Sequence, residues 1–219
     1  NVLVVFPVVL LMSVGIGLLL GHPMLSAKDA AYTLHSLSLL GPTLLFAGFT
    51  GCLLFASSII AGWVENWFVL RRLASAMRYN PSVTGLLGVE RAGRWAHFMR
   101  NNISGFASNI SLGFMLGLIP PIMAFFSLPL EVRHVTLSAG QLAAASVAYG
   151  VQTVFMPAFW WAVAAIPLIG ALNLGVSFYL AYKLALRAHN VSGVQRAHIH
   201  QAIWARWRHR PLSFFIPAG

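Results

Sequence analysis

The stretch ISGFASNISLGFMLGLIPPIMAFF, Ile103 to Phe126, carries no charged side chain. As a helix it is long enough to cross a hydrocarbon core of about 30 Å. Small and amide residues recur along it with a helical period. Asn101, Gly105, Asn109, Gly113 and Gly117 fall every fourth residue and so share one ridge. Such a ridge suits close backbone approach and hydrogen bonds between membrane helices. Pro120 and Pro121 then remove two successive backbone donors, which predicts that the helix kinks or breaks there. Irregular backbone at membrane depth is tolerated only inside protein or beside a cavity. The ridge and the break therefore read either as packing features or as the wall of a substrate or lipid path.

Composition extends this reading to the whole chain. Of its 219 residues 58% are apolar and 8% charged, with a mean hydropathy of +0.78. An average soluble domain carries roughly 25% charged residues, so this chain cannot cover a globular surface with charge. The expected class is all-α, a polytopic transmembrane helical bundle. The net charge of +10 comes from 14 Lys+Arg against 4 Asp+Glu, and of the cations only Lys28 precedes Arg71. In a soluble protein that balance would suggest nucleic acid. In a membrane chain it indicates cationic cytoplasmic loops against anionic headgroups. The expected partners are the bilayer and other membrane or membrane-associated chains, not nucleic acid. The single cysteine, Cys52, cannot make a disulfide framework or a multi-cysteine metal site. The sequence opens at Asn1 with neither an initiator Met nor a basic n-region, and a preceding soluble part is expected.

On the N-terminal side, residues 1–69 read as two spans, 2–20 and 37–69, joined by a near-neutral loop. Glu65 and Asn66 lie at the boundary between Trp63 and Trp67. A carboxylate there is costly unless paired, and Arg71, Arg72 or Arg133 are the candidate partners. Residues 70–102 form an Arg-rich interfacial connector, with Asn80-Pro81 dividing two amphipathic patterns. Two short surface helices are predicted, with Arg78, Arg91, Arg94 and Arg100 among the headgroups.

On the C-terminal side, residues 103–188 read as the transmembrane core. Glu131, Arg133 and His134 form a second buried polar group. Thr136 or Ser138 is the expected cap of a partial helix within 137–156, which is alanine-rich and poor in large apolar residues. It reads as re-entrant or half-spanning. Trp160-Trp161 opens the last span, 160–186. Residues 189–219 form a basic amphipathic tail. Ile199, Ile203 and Trp207 share a face, Arg206, Arg208 and Arg210 reach headgroups, Pro211 ends the helix, and Phe214 to Ile216 returns to lipid. Four spans plus one partial helix place both cationic regions, and both ends of this segment, in the cytoplasm.

No phosphate-binding loop, dinucleotide fingerprint, Cys-x-x-Cys, His-Glu-x-x-His or nucleophile elbow is present in the sequence. His198 and His200 diverge on a helix. No catalytic, metal-binding or cofactor-binding set is expected, and no cofactor.

Four blocks carry a family resemblance. They are Glu65-Asn66-Trp67-Phe68-Val69-Leu70-Arg71-Arg72-Leu73, Asn101 to Gly117, Leu128-Pro129-Leu130-Glu131-Val132-Arg133-His134-Val135-Thr136-Leu137-Ser138, and the weaker Gly170 to Phe178. Together they resemble the membrane half of the bacterial Gcr-type site-specific recombinase family. The resemblance implies a larger parent with a soluble N-terminal half, a multi-pass protein of the bacterial inner membrane, and by its label DNA strand exchange. The residues speak against that activity here. Tyr149, Tyr179 and Tyr182 fall in or beside apolar helices rather than in a soluble basic catalytic domain. The expected function is a non-catalytic scaffold or subunit that docks partner proteins or lipids. The alternative is a transporter or lipid-handling protein, which a water-filled cavity reaching Glu131 would favour. Recombinase activity stands third.

Overall fold

The computed structural model describes residues 1–189 and 193–210, the side chains at 194 and 196 excepted. Among the described residues the regular structure is helical, with no strand. Four helices are long and apolar enough to cross a membrane: α1 (Val2–Leu20), α3 (Thr43–Leu70), α6 (Val89–Phe125) and α8 (Pro157–Ala188). Between them lie α2 (Ala27–Ser36), α4 (Leu73–Tyr79), α5 (Pro81–Leu87) and α7 (Val135–Tyr149), and α9 (Gly193–His209) follows. The described chain divides into two compact units, residues 1–177 and the residues from 178 on.

In the first unit, apolar surface is left outside rather than gathered within. Only 6% of the α1 window is buried, and Leu3 and Leu19 are almost fully exposed. A water-soluble fold would not leave such a helix bare. Lipid is the solvent these side chains match.

The buried faces are instead made of small residues. In α3 the buried stripe includes Ala47, Thr50, Gly51, Ser57 and Ala61. There the Ser57 and Ser108 hydroxyls approach to 3.4 Å across the contact with α6. Gly51 lies against α8, where an added Cβ would sit 2.7 Å from Val176 Cβ. In α7 the residues Ala139, Leu142, Ala143 and Ala145 are buried. This poverty of bulk lets α1 and α2 close on α7. With 15 residues α7 is about 22 Å long, short of a full crossing. A 3₁₀ turn, Gly150–Phe155, connects it to α8.

Several boundaries differ from the sequence reading. The loop before the second span contains α2, started by Ser26, whose hydroxyl accepts the Asp29 N–H at 3.1 Å. The predicted connector ends earlier than residue 102: α4 and α5 flank Asn80, but Arg91, Arg94 and Arg100 belong to α6. With 37 residues α6 is about 55 Å long, so its first turns extend beyond any hydrocarbon core. Of the kink or break expected at Pro120 and Pro121, the break is not there, because α6 continues through both to Phe125. A proline pair removes two intrahelical donors but leaves the remaining turn intact. Neither Thr136 nor Ser138 caps α7, whose N-cap is His134.

In the second unit, Tyr182 stacks on Phe178 and meets the His200 ring edge-on. In α9, Ile203, Trp204 and Trp207 are exposed. Its polar and apolar residues are not cleanly separated, since Arg206 falls within about 20° of Ile199 around the helix. The expected stop at Pro211 and the return at Phe214 to Ile216 lie outside the described residues.

Candidate functional site

The site is built on the extended segment between α6 and α7. Leu128 to His134 has no regular structure, yet Arg133 is 5% exposed. Backbone polar groups buried in such a segment require partners. Two membrane helices supply them. The Arg133 N–H donates to the Thr50 hydroxyl of α3 at 2.8 Å. The Asn173 amide of α8 donates to the Arg133 carbonyl and to the Ala47 carbonyl, both at 2.9 Å, and its oxygen accepts the Val135 N–H at 3.0 Å. An orphan donor at the start of α7 is thus satisfied from another helix. The half-helix begins beside the middle of α8, not at its end.

Onto this frame the side chains close a polar chain. Tyr32 of α2 donates to one Glu131 carboxylate oxygen at 2.7 Å. The other oxygen accepts from Arg133 Nη2, which also donates to the Ser36 carbonyl at 3.2 Å. The hydrogen bond to Glu131 holds the Tyr32 hydroxyl above its ordinary pKa, so it stays protonated. Burial holds the His134 imidazole below its ordinary value, in the neutral form. At this site Arg133 Nε and His134 Nδ1 are buried with no partner among the described residues.

A cavity of about 570 Å³ opens onto this chain. Its polar wall includes Tyr32, Ser36, Glu131, Arg133 and Gln141, and its other side includes Leu116 and Pro120 of α6. Pro120 has no N–H for the Leu116 carbonyl, so that acceptor is left to other donors. The proline pair therefore leaves α6 continuous but alters the hydrogen-bonding capacity of a cavity wall.

Of the sequence-selected residues, Glu131 and Arg133 come together and His134 lies next to them. Glu65, Asn66, Arg71 and Arg72 do not join them. All four are exposed, and Glu65 forms no ion pair among the described residues. Glu65 and Asn66 lie on the outward side of the last turns of α3, where water or headgroups can solvate charge. The ridge Asn101, Gly105, Asn109, Gly113 and Gly117 is exposed throughout, and an added Cβ at any of its glycines would meet nothing within 4 Å. Within this chain α6 meets α3 through an adjacent face that carries Ser108 instead. Arg78, Arg91, Arg94, Arg100, Arg206, Arg208 and Arg210 are exposed too. Arg94 pairs with Glu90 one turn away, at 2.5 Å.

Tyr32, Ser36 and Thr50 were not legible as site residues. Ser26-x-x-Asp29 was the available signal for the helix that carries Tyr32, in a stretch read as a loop. Asn173, an amide inside an apolar run, was the available signal for a buried polar junction.

A family model described as "Site-specific recombinase" matches residues 1–217. No curated protein and no solved structure matches the chain.

Proposed function

The chain belongs to the site-specific recombinase family, and from that premise we propose that this segment is a transporter or lipid-handling membrane protein. The observation that carries the reading is the cavity reaching Glu131. It is polar on one side, it opens beside a half-helix, and it contains a buried arginine with an unused donor. Buried ionisable groups among membrane helices commonly mark a substrate or ion path. Half-helices ending at a polar site are a recurrent way to build one. Glu131 has two donors, Tyr32 and Arg133. An incoming anionic or amphipathic molecule can replace the carboxylate on Arg133 while Glu131 keeps its bond to Tyr32. The family resemblance supports the bacterial inner membrane and the arginine distribution supports cytoplasmic ends for this segment; both belong to the same proposal.

The exposed ridge supports a second reading, a scaffold that docks another membrane chain. Asn109 presents an amide on an outer face in the middle of an apolar helix, and a partner helix would satisfy it. Strand exchange on DNA, which the family description names, has no support in the Tyr32–Glu131–Arg133 geometry.

Cysteine accessibility separates the readings. With Cys52 replaced by Ser, cysteines at Gln141 and at Gly113 are exposed to a membrane-impermeant thiol reagent in vesicles. The cavity reading expects Gln141→Cys to be modified and Gly113→Cys to be silent. An unreactive Gln141→Cys refutes a wet cavity. Disulfide-linked species through Gly113→Cys favour the scaffold. Salt-sensitive binding of the purified protein to duplex DNA would restore the activity named by the family.

A further inference from the structure

A second feature lies about 24 Å along α6 from the cavity, at the level of Arg100 rather than Leu116. Two adjoining hollows, of about 370 Å³ and about 190 Å³, share Ala74, Ser75 and Arg100. One is completed by Phe68, Val69 and Arg72, the other by Arg78, Tyr79, Gly93, Ala96 and His97. Three guanidinium groups line the pair, and no carboxylate does. Among the described residues the ion pairs are Arg94–Glu90 and Arg133–Glu131, so Arg72, Arg78 and Arg100 have no acidic partner.

The local fold positions these cations. Arg72 holds a left-handed backbone, φ 51°, at the α3–α4 corner. Such strain is uncommon for a residue with a side chain. The Arg78 guanidinium lies 5.4 Å from the Tyr79 ring centre. Gly93 leaves α6 bare beneath it: a Cβ there would lie 3.7 Å from Arg78 Nε. Self-repulsion of three cations is relieved by a shared anion, and guanidinium forks match phosphate oxygens. Phe68 and Val69 form the apolar wall at the end of the membrane-length run of α3.

We infer that this cleft between α4 and α6 binds the phosphate headgroup of an anionic phospholipid, whose acyl chains run along α3. The site is independent of the cavity at Glu131. A lipid rather than a free phosphate fits because the cationic cleft opens beside an apolar wall at a membrane boundary.

The test uses the full chain in neutral detergent, with short-chain phosphatidic acid, short-chain phosphatidylcholine and inorganic phosphate as probes. Phosphatidic acid should bind about 10-fold or more tightly than phosphatidylcholine, as charge-assisted guanidinium contacts imply. The Arg78→Gln/Arg100→Gln variant should lose most of that preference. Lys28→Gln, which removes one exposed charge outside the cleft, should keep it. If the double variant does not fold, Ser75→Trp supplies the test by filling the cleft without removing charge, and it too should weaken binding. The inference is overturned if Lys28→Gln loses as much as the double variant, because the effect is then diffuse charge. It is also overturned if Ser75→Trp binds normally, or if inorganic phosphate binds as tightly as the lipid.

Discussion

The Asn173 amide donates to the Arg133 carbonyl at 2.9 Å, and this contact fixes the irregular segment against α8. The same side chain accepts the Val135 N–H and donates to Ala47. One residue of α8 thereby joins α3, the extended segment and the start of α7. Without it, the Arg133 carbonyl and the Val135 N–H lose their Asn173 partner, the Ala47 carbonyl loses its second donor, and the cavity wall loses its anchor.

Asn173→Leu should therefore be among the more damaging single changes in the chain. Interhelical hydrogen bonds in membranes contribute roughly 0.6–2 kcal/mol each, and stranded buried groups cost about 1–3 kcal/mol. A loss of about 2–4 kcal/mol is expected in reversible unfolding in detergent. An unchanged unfolding midpoint would show that the junction is held by packing alone.

Glu131→Gln should cost more than its loss of charge suggests. It leaves the buried Arg133 guanidinium without a counter-charge, facing only neutral acceptors, the Ser36 carbonyl and the introduced amide oxygen. Breaking one side of a buried pair costs about 3 kcal/mol, while removing both charges is far milder. The Glu131 side chain is 35% exposed, so water will offset part of the cost. The double variant Glu131→Gln/Arg133→Met should recover stability relative to Glu131→Gln. A double-mutant cycle with simple additivity would mean that the two side chains are not coupled.

Acid should destabilise the site through His134. Burial lowers its folded-state proton affinity below the ordinary value of 6.5. Above that pH both folded and unfolded chains hold it neutral, and its contribution is fully present. As pH falls below 6.5, the unfolded chain takes up a proton that the folded chain resists, and stability declines. The comparison is with His134→Gln, which removes this one imidazole. That variant should lose less stability between about pH 7.5 and about pH 5. Parallel pH profiles for the two proteins would remove His134 from the account.

Legibility followed the physical signal. Long apolar runs announced the four helices because lipid demands length and hydrophobicity, and both are local properties of sequence. The brevity of α7 was equally visible, since alanines such as Ala143 and Ala145 supply little surface for lipid to cover. What failed was pairing across distance. Glu131, Arg133 and His134 were read as one polar group, but nothing local said that Tyr32 and Asn173 would meet it. The proline pair could be read as a kink or an end, and it is not an end because Pro120 removes one bond from a helix of 37 residues without stopping it. The ridge from Asn101 to Gly117 lies within one helix, α6, but its spacing cannot say whether it meets its own chain, a partner or lipid.

Two helical glycines give the last prediction, because the same substitution should act with opposite sign. At Gly51 a Cβ would lie 2.7 Å from Val176 Cβ, 3.0 Å from the Leu172 carbonyl oxygen and 3.2 Å from that of Asn173. Two of these neighbours are backbone and cannot rotate away, so Gly51→Ala must push α3 off α8 at a cost of about 1–3 kcal/mol. Val176→Ala retains the clashing Cβ and should not rescue it. At Gly113 nothing lies within 4 Å. There alanine only removes backbone freedom from the unfolded chain, and Gly113→Ala should stabilise the isolated protein by about 0.5–1 kcal/mol. Unfolding of both variants in detergent checks the pair. Loss of stability in Gly113→Ala would mean that another chain already packs on the ridge under those conditions. Neutrality of Gly51→Ala would mean that the α3–α8 contact is looser than its geometry implies.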